Sequence, residues 1–358
     1  MKIFRMLFVL VAITLAGCSA VGPPSVHHDR FDYNRALSDS WKEQTLLNIV
    51  RLRYADMPIF LEVASIVSGY TLEGSVNLAG TLSSESAIQG DFLSVGTGGK
   101  FTDRPTITYS PVTGEKFHKS FMTPIPPKLL LYLMESGWSA EMVMPLTVDA
   151  INGLRSRKGA GKYSRTGTPD FYRVIRLMSE VKESGSMAFR IVKGNDNKET
   201  IVLFFYTDEI PSEVGEQRNE IIKLLNLSEN QNQITVKYGL LPQTEGEIAI
   251  LTRSMLQMMI SLSTLIEVPE DHVKRGLTPP IENKSNSEEE KLGRLIRIES
   301  GLEKPEKPFV SVKYLDHWFW INEDDFASKR TFTFLMLLFS MMENEEPEGL
   351  PLITIPAG

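Results

Sequence analysis

A single cysteine, Cys18, stands in a chain of 358 residues. One thiol forms no internal disulfide, and it excludes cysteine-built zinc sites and iron–sulfur clusters. Histidine is also scarce. His27, His28, His118, His272 and His317 are the full set, and none stands at a ligand spacing such as His-x-x-x-His. No metal and no cofactor is therefore expected. Positive charge is in deficit, with 38 Lys and Arg against 45 Asp and Glu. The net charge of −7 argues against nucleic acid or anionic lipid as the main partner, because both need a positive surface. No Gly-x-Ser-x-Gly elbow and no repeat of fixed period occurs. The 23% charged and 42% hydrophobic residues are those of a globular chain, which excludes disordered, collagen-like and coiled-coil classes. The length allows two or three domains.

What is present starts at the N-terminus. Lys2 and Arg5 precede an uncharged stretch from Met6 to Ala16, matching the basic and apolar regions of a secretory signal in residues 1–17. That stretch is shorter than the roughly 20 residues of a membrane-spanning helix. It ends in Leu15-Ala16-Gly17-Cys18, which resembles the lipobox of bacterial lipoproteins. The resemblance implies cleavage before Cys18, diacylation of its thiol (palmitate is a typical acyl group) and a further acyl chain on the new amine. Ser19 in place of Asp is similar to the signal that sends such proteins to the outer membrane. Two or more acyl chains anchor stably, and the thioether removes a thiol that an oxidising compartment would attack. Loss of residues 1–17 takes Lys2 and Arg5 away and shifts the net charge from −7 to −9. Attachment is then by lipid and not by charge, with the body facing the periplasm.

Along the mature chain, Gly22-Pro23-Pro24 and the His27-His28-Asp29-Arg30 cluster make residues 18–31 read as a lipidated tether. Leu37, Trp41, Leu46, Leu47, Ile49, Val50 and Leu52 recur at helical spacing, so residues 35–54 are expected as a helix. Residues 59–123 turn Gly/Ser/Thr-rich and β-branched, with one unbroken alternation from Ile66 to Leu82 and partner strands in 87–101 and 104–112. Helices are expected over 126–136, 169–183 and 213–227, the second announced by Thr168-Pro169-Asp170. Residues 187–193 and 200–206 flank Gly194-Asn195-Asp196-Asn197 as a hairpin, and a strand follows at 234–238. Thr244 to Glu247 reads as a capping box before a buried helix over 248–266. Residues 276–291 read as a mobile loop, and 292–358 as a three-stranded meander plus a helix over 324–342. The main body spans 32–275. Strands intermixed with helices make the expected class α+β, with a long Gly/Ser-rich β section near the N-terminus.

The search for chemistry finds no catalytic set. Asp271-His272 and Asp316-His317 read as loop neighbours, and Ser179-x-x-Lys182 lacks companion motifs. Gly96 to Lys100 and Gly159 to Lys162 lack the spacing and hydroxyl of a phosphate loop. Arg155, Arg157, Lys158, Lys162 and Arg165 crowd one loop and are a candidate site for an anion or an acidic partner face. Trp318 and Trp320 alternate with Phe319 and Ile321 and are a candidate aromatic interface. Tyr70, Leu72, Val76 and Leu78 share one face of the long alternation and are the candidate membrane-facing positions. Met255, Met258 and Met259 read as helical core.

Trp41 to Asp56, Pro105 to Pro111 and Ala327 to Phe332 resemble stretches of a widely distributed, functionally uncharacterised group of bacterial envelope proteins, over most of the mature chain. The resemblance implies no activity, so no catalytic residue is carried over. The expected function is a non-enzymatic lipoprotein that scaffolds or assembles an envelope complex, with envelope proteins or further copies of itself as partners. Two alternatives stand beside it: an oligomeric outer-membrane pore or secretion subunit that inserts strands from 66–112, and an enzyme acting on cell wall or lipid.

Overall fold

The computed structural model describes residues 23–67, 70–81, 92–103, 105–159, 164–193, 199–206, 211–229, 231–281 and 285–342. Helices combined with antiparallel and mixed sheets make the protein α+β. The chain divides into two compact units: Met1–Ser38, Leu61–Val112 and Glu346–Gly358 in one, Asp39–Phe60 and Thr113–Glu345 in the other.

The boundary falls inside the first helix, α1 (Pro23–Arg53). It begins within the stretch expected as a tether. Both prolines lie in the first turn, where an absent N–H leaves no intrahelical bond unmade. Four strands of the first unit lie among the described residues: β1 (Leu61–Val67), β2 (Tyr70–Thr81), β3 (Phe92–Asp103) and β4 (Thr106–Pro111). The alternation read as one run from Ile66 to Leu82 is thus divided between two ribbons. β1 pairs antiparallel with β4, from Leu61↔Pro111 to Val67↔Thr106. β2 pairs with β3 without a register shift, from Tyr70↔Asp103 to Thr81↔Phe92. At about 3.4 Å per residue, these 12-residue strands extend about 40 Å.

In the second unit the end of α1 buries Leu46, Ile49 and Val50 completely. Asn48 is buried beside them, and its amide satisfies both backbone groups of Ile59: Nδ2 donates to the carbonyl at 2.7 Å, and Oδ1 accepts from the N–H at 3.0 Å. Short helix α2 (Gly114–Phe117) then runs into a π-helical turn, His118–Met122, where β structure was expected. Helices α3 (Pro127–Glu135) and α4 (Ala140–Thr147) lead into strands β5 (Val148–Ile151) and β6 (Leu154–Arg155). After them come α5 (Pro169–Glu183), β7 (Met187–Lys193), β8 (Glu199–Phe205), α6 (Ser212–Leu224), β9 (Gln233–Tyr238) and β10 (Glu247–Thr252). The strands form one sheet in the order β6-β5-β10-β9-β8-β7, parallel only between β10 and β9.

Two sequence expectations fail around β10. The run from Ile248 was read as the start of a long buried helix, but Glu247 to Thr252 is a strand near the middle of the sheet. A strand buried on both faces shows no alternation, so an apolar run there looks like a buried helix. The helix itself, α7 (Met255–Ser263), starts later, and its capping box is Ser254 with Gln257, not Thr244 with Glu247. Thr168 also departs from its expected role. Instead of capping α5, its hydroxyl accepts from the Arg155 N–H at 2.7 Å and donates to the Arg155 carbonyl at 2.9 Å.

Helices α8 (Glu270–Lys274) and α9 (Ser287–Lys291) follow. The expected loop over 276–291 is therefore part helix, and it is tied down. Thr278 is buried and donates to the Arg53 carbonyl at 3.0 Å, while Arg53 donates to the Pro279 carbonyl at 2.8 Å. Strands β11 (Glu299–Gly301), β12 (Pro308–Tyr314) and β13 (His317–Asn322) form the last sheet in the order β11-β13-β12. It is not a meander, because the final strand lies between the other two. Helix α10 (Phe326–Met342) closes the described chain. Asp325 accepts from the Ser328 N–H at 3.0 Å and from its hydroxyl at 2.6 Å, and that hydroxyl accepts from the Arg297 N–H at 2.7 Å. Among the described residues, no helix is long and apolar enough to cross a membrane.

Candidate functional site

The basic loop turns two of its four described cations inward. Arg157 pairs with Glu289 of α9 at 2.9 Å, and Arg165 with Asp149 of β5 at 3.0 Å. The loop is closed on itself by a two-way backbone pair between Lys158 and Arg165, at 3.0 and 2.7 Å. Arg155 and Lys158 are exposed, and Lys162 lies outside the described residues. Of the described cations of the candidate anion site, Arg157 and Arg165 meet internal carboxylates, while Arg155 and Lys158 face outward. Beneath the loop sits Arg253, only 3% exposed. Its Nη1 donates to the carbonyls of Pro145 and Leu146 at 3.1 and 3.2 Å and to Ser261 Oγ at 3.1 Å. Its Nη2 donates to the Arg157 carbonyl at 2.6 Å and to Ser156 Oγ, and lies 3.9 Å from Asp149. Burial pushes its pKa down to about 10, with the Asp149 charge opposing, so it stays protonated at neutral pH. Sequence reasoning did not single out Arg253, since an isolated arginine carries no local signal of burial.

The aromatic strand has one buried and one half-exposed face. Phe319 and Ile321 are fully buried, whereas Trp318 and Trp320 are partly open. Trp320 Nε1 donates to Asn322 Oδ1 at 3.0 Å, and the Trp318 ring carries Lys304 Nζ 5.1 Å from its centroid. Both indoles therefore have partners within the chain. The Ser179 and Lys182 pair forms no nucleophile: Ser179 is buried on α5, and Lys182 donates to the Met134 carbonyl at 3.3 Å. Met255, Met258 and Met259 are buried core residues. The side chains of Tyr70, Leu72, Val76 and Leu78 lie outside the described residues, as does Cys18 with its lipobox.

The arrangement with the most chemistry was not expected. Asp271 and His272 on α8 meet His317, the first residue of β13. One donor atom from each residue lies within 4.8 Å of the other two. The Asp271 carboxylate stands 3.7 Å from His272 Nε2 and 3.8 Å from His317 Nε2, one oxygen toward each ring. The imidazole centroids are 4.5 Å apart and the rings meet edge to face.

Each group is held from behind. His272 is 1% exposed, and its Nδ1 lies 2.7 Å from the Tyr54 hydroxyl at the end of α1. The Tyr54 ring also contacts Tyr314, whose hydroxyl donates to Asp56 at 3.1 Å. His317 follows a two-residue turn in which Leu315 and Asp316 both have positive φ, at 45° and 68°. Such a turn matches strand twist but favours Asn or Gly, and a branched Leu there is strained. Burial lowers the His272 pKa, with Asp271 opposing and His317 reinforcing. Burial likewise raises the Tyr54 pKa, so the phenol stays neutral. The cluster thus brings together two imidazoles and one carboxyl group, a set able to move a proton or hold a cation.

No protein-family model, curated protein or solved structure matches this chain.

Proposed function

We propose that the protein is a lipid-anchored assembly subunit of the bacterial envelope, and that its N-terminal β ribbons pair with those of further copies. The observation that carries this reading is the pairing of β2 with β3. Among the described residues, β2 has no neighbour but β3, and β3 none but β2. Each strand therefore keeps one edge of backbone N–H and carbonyl groups without a third strand, over 12 residues. Two-stranded ribbons are marginal in water, and long unblunted edges are templates for a neighbouring chain. Prolines would blunt such an edge, and neither strand holds one. β4 supports the same reading: it is exposed along its length, including Ile107 at 40% and Tyr109 at 54%.

The lipobox at Cys18 and Ser19 supports anchorage in the outer membrane with the body in the periplasm. The internal pairing of Arg157 and Arg165 supports a non-enzymatic role for the basic loop, which then serves the fold. Co-expression of two differently tagged full-length copies tests the proposal. Purification through one tag should recover the other, and replacing residues 70–103 with a Gly/Ser linker should abolish recovery. Recovery of no second copy by the parent chain overturns it.

One observation favours a second reading, in which the ribbon also enters the outer membrane. A tilted strand of about 9–11 residues crosses the hydrocarbon core, and β2 and β3 exceed that length. Glu73, Ser75 and Asn77 share one face of β2 and are exposed, which suits a water-filled lumen. Cysteines placed at 70, 72 and 76 in a Cys18-lipidated chain should resist water-soluble thiol reagents. Labelling at all three rules out insertion.

A further inference from the structure

We infer that Asp271, His272 and His317 bind one divalent first-row transition ion, for which zinc is the representative probe. The distances carry the argument. A carboxylate that paired directly with an imidazolium would close to about 2.7–2.9 Å. Here each Asp271 oxygen stops at 3.7 or 3.8 Å from a ring nitrogen, too far for a hydrogen bond. Metal bonds of about 2.0–2.1 Å in a tetrahedron set neighbouring donors about 3.3–3.5 Å apart. One donor atom from each residue already lies within 4.8 Å of the other two, so side-chain rotation that closes them by up to about 1.5 Å would reach that spacing.

The donor set agrees with the geometry. Two imidazole nitrogens and one carboxylate oxygen suit zinc and its neighbours, whereas magnesium and calcium prefer all-oxygen shells. Ligation through Nε2 requires the proton on Nδ1, and the Tyr54 hydroxyl stands 2.7 Å away, where its oxygen would accept a hydrogen bond from that N–H. Ligating histidines are characteristically oriented by such a partner on the second nitrogen. His317 is aimed by the strained Leu315-Asp316 turn, a backbone cost that a ligand position would account for. Asp271 is half open to solvent, with its side chain 55% exposed, which leaves an entry path. The ion would join α8 to the β12–β13 hairpin, and three protein ligands leave a fourth position for water.

The test is zinc titration of the full-length chain in detergent after chelator treatment, followed by calorimetry. His27 and His28 are replaced by Ala in every protein, because adjacent histidines bind metal on their own. One equivalent of zinc should bind, with magnesium in excess failing to compete. His317→Ala and Asp271→Asn should each weaken binding at least tenfold, while His118→Ala leaves it unchanged. Cobalt bound in place of zinc should show a visible absorption band that both variants lose. Circular dichroism identifies any variant that misfolds, and the exposed Asp271→Asn change keeps the test decisive if His317→Ala does. Absence of zinc binding in the His27/His28-free chain overturns the inference. So does binding that both variants leave unchanged.

Discussion

Replacing Arg253 with Met keeps the volume of the stem but removes a guanidinium that donates to five acceptors from one buried position. Three of those acceptors are main-chain carbonyls, of Pro145, Leu146 and Arg157, and two are hydroxyls, of Ser156 and Ser261. Each buried acceptor left without a donor costs about 1–3 kcal/mol. The hydroxyls can rotate toward other partners, and Asp149 keeps Arg165 at 3.0 Å. The sum is thus cut to the range for removing one member of a buried ion pair, about 3–5 kcal/mol. Because Arg253 titrates near 10, the lost bonds are charge-assisted across neutral pH. Urea unfolding followed by tryptophan fluorescence measures the loss, since Trp41, Trp138, Trp318 and Trp320 all belong to the second unit. The midpoint should fall with little change in slope. Arg253→Lys should fall between the two, as it keeps the charge and loses the fork. A Met variant within about 1 kcal/mol of the parent would refute the view that the basic loop is held by this residue.

Cys18→Ala should abolish incorporation of labelled palmitate and release the chain from the membrane fraction; membrane retention would show an attachment other than the acyl chains. Leu315→Asn should stabilise the second unit by about 0.5–1 kcal/mol in the same urea assay, because Asn tolerates positive φ. In chelator-treated protein, His272 makes stability pH-dependent. Its folded pKa lies below the unfolded value of 6.5, so the unfolded chain binds more protons as pH falls through that value. Stability should therefore be full above pH 6.5 and decline below it, and His272→Gln should flatten this step. An equally steep step in the variant assigns it to another group.

Legibility from sequence followed locality. The helix from Pro169 to Glu183 and the strands of the β7–β8 hairpin announced themselves through a proline at the first helical position and a polar turn between apolar runs. The run from Ile248 failed because its identity is set by neighbours: β10 lies between β5 and β9, and only that burial makes it a strand. The Ser254-x-x-Gln257 box was visible and would have placed the helix start correctly. The loop arginines were visible as a charge cluster, but their partners Asp149 and Glu289 come from separate elements. His272 and His317 read in sequence as loop neighbours for the same reason. No local spacing joins residues on α8 and β13, and the turn that aims His317 contains Leu where Asn or Gly would have signalled it.

Copies of this chain are proposed to associate through the edges of their β ribbons. The mass of the full-length protein in detergent, from light scattering corrected for bound detergent, is the decisive test of that association. Ribbon pairing predicts a defined multiple of the single-chain mass, collapsing to a single copy when residues 70–103 are replaced by a linker. A parent protein that runs as one copy would contradict it, as would an assembly that persists unchanged without the ribbon.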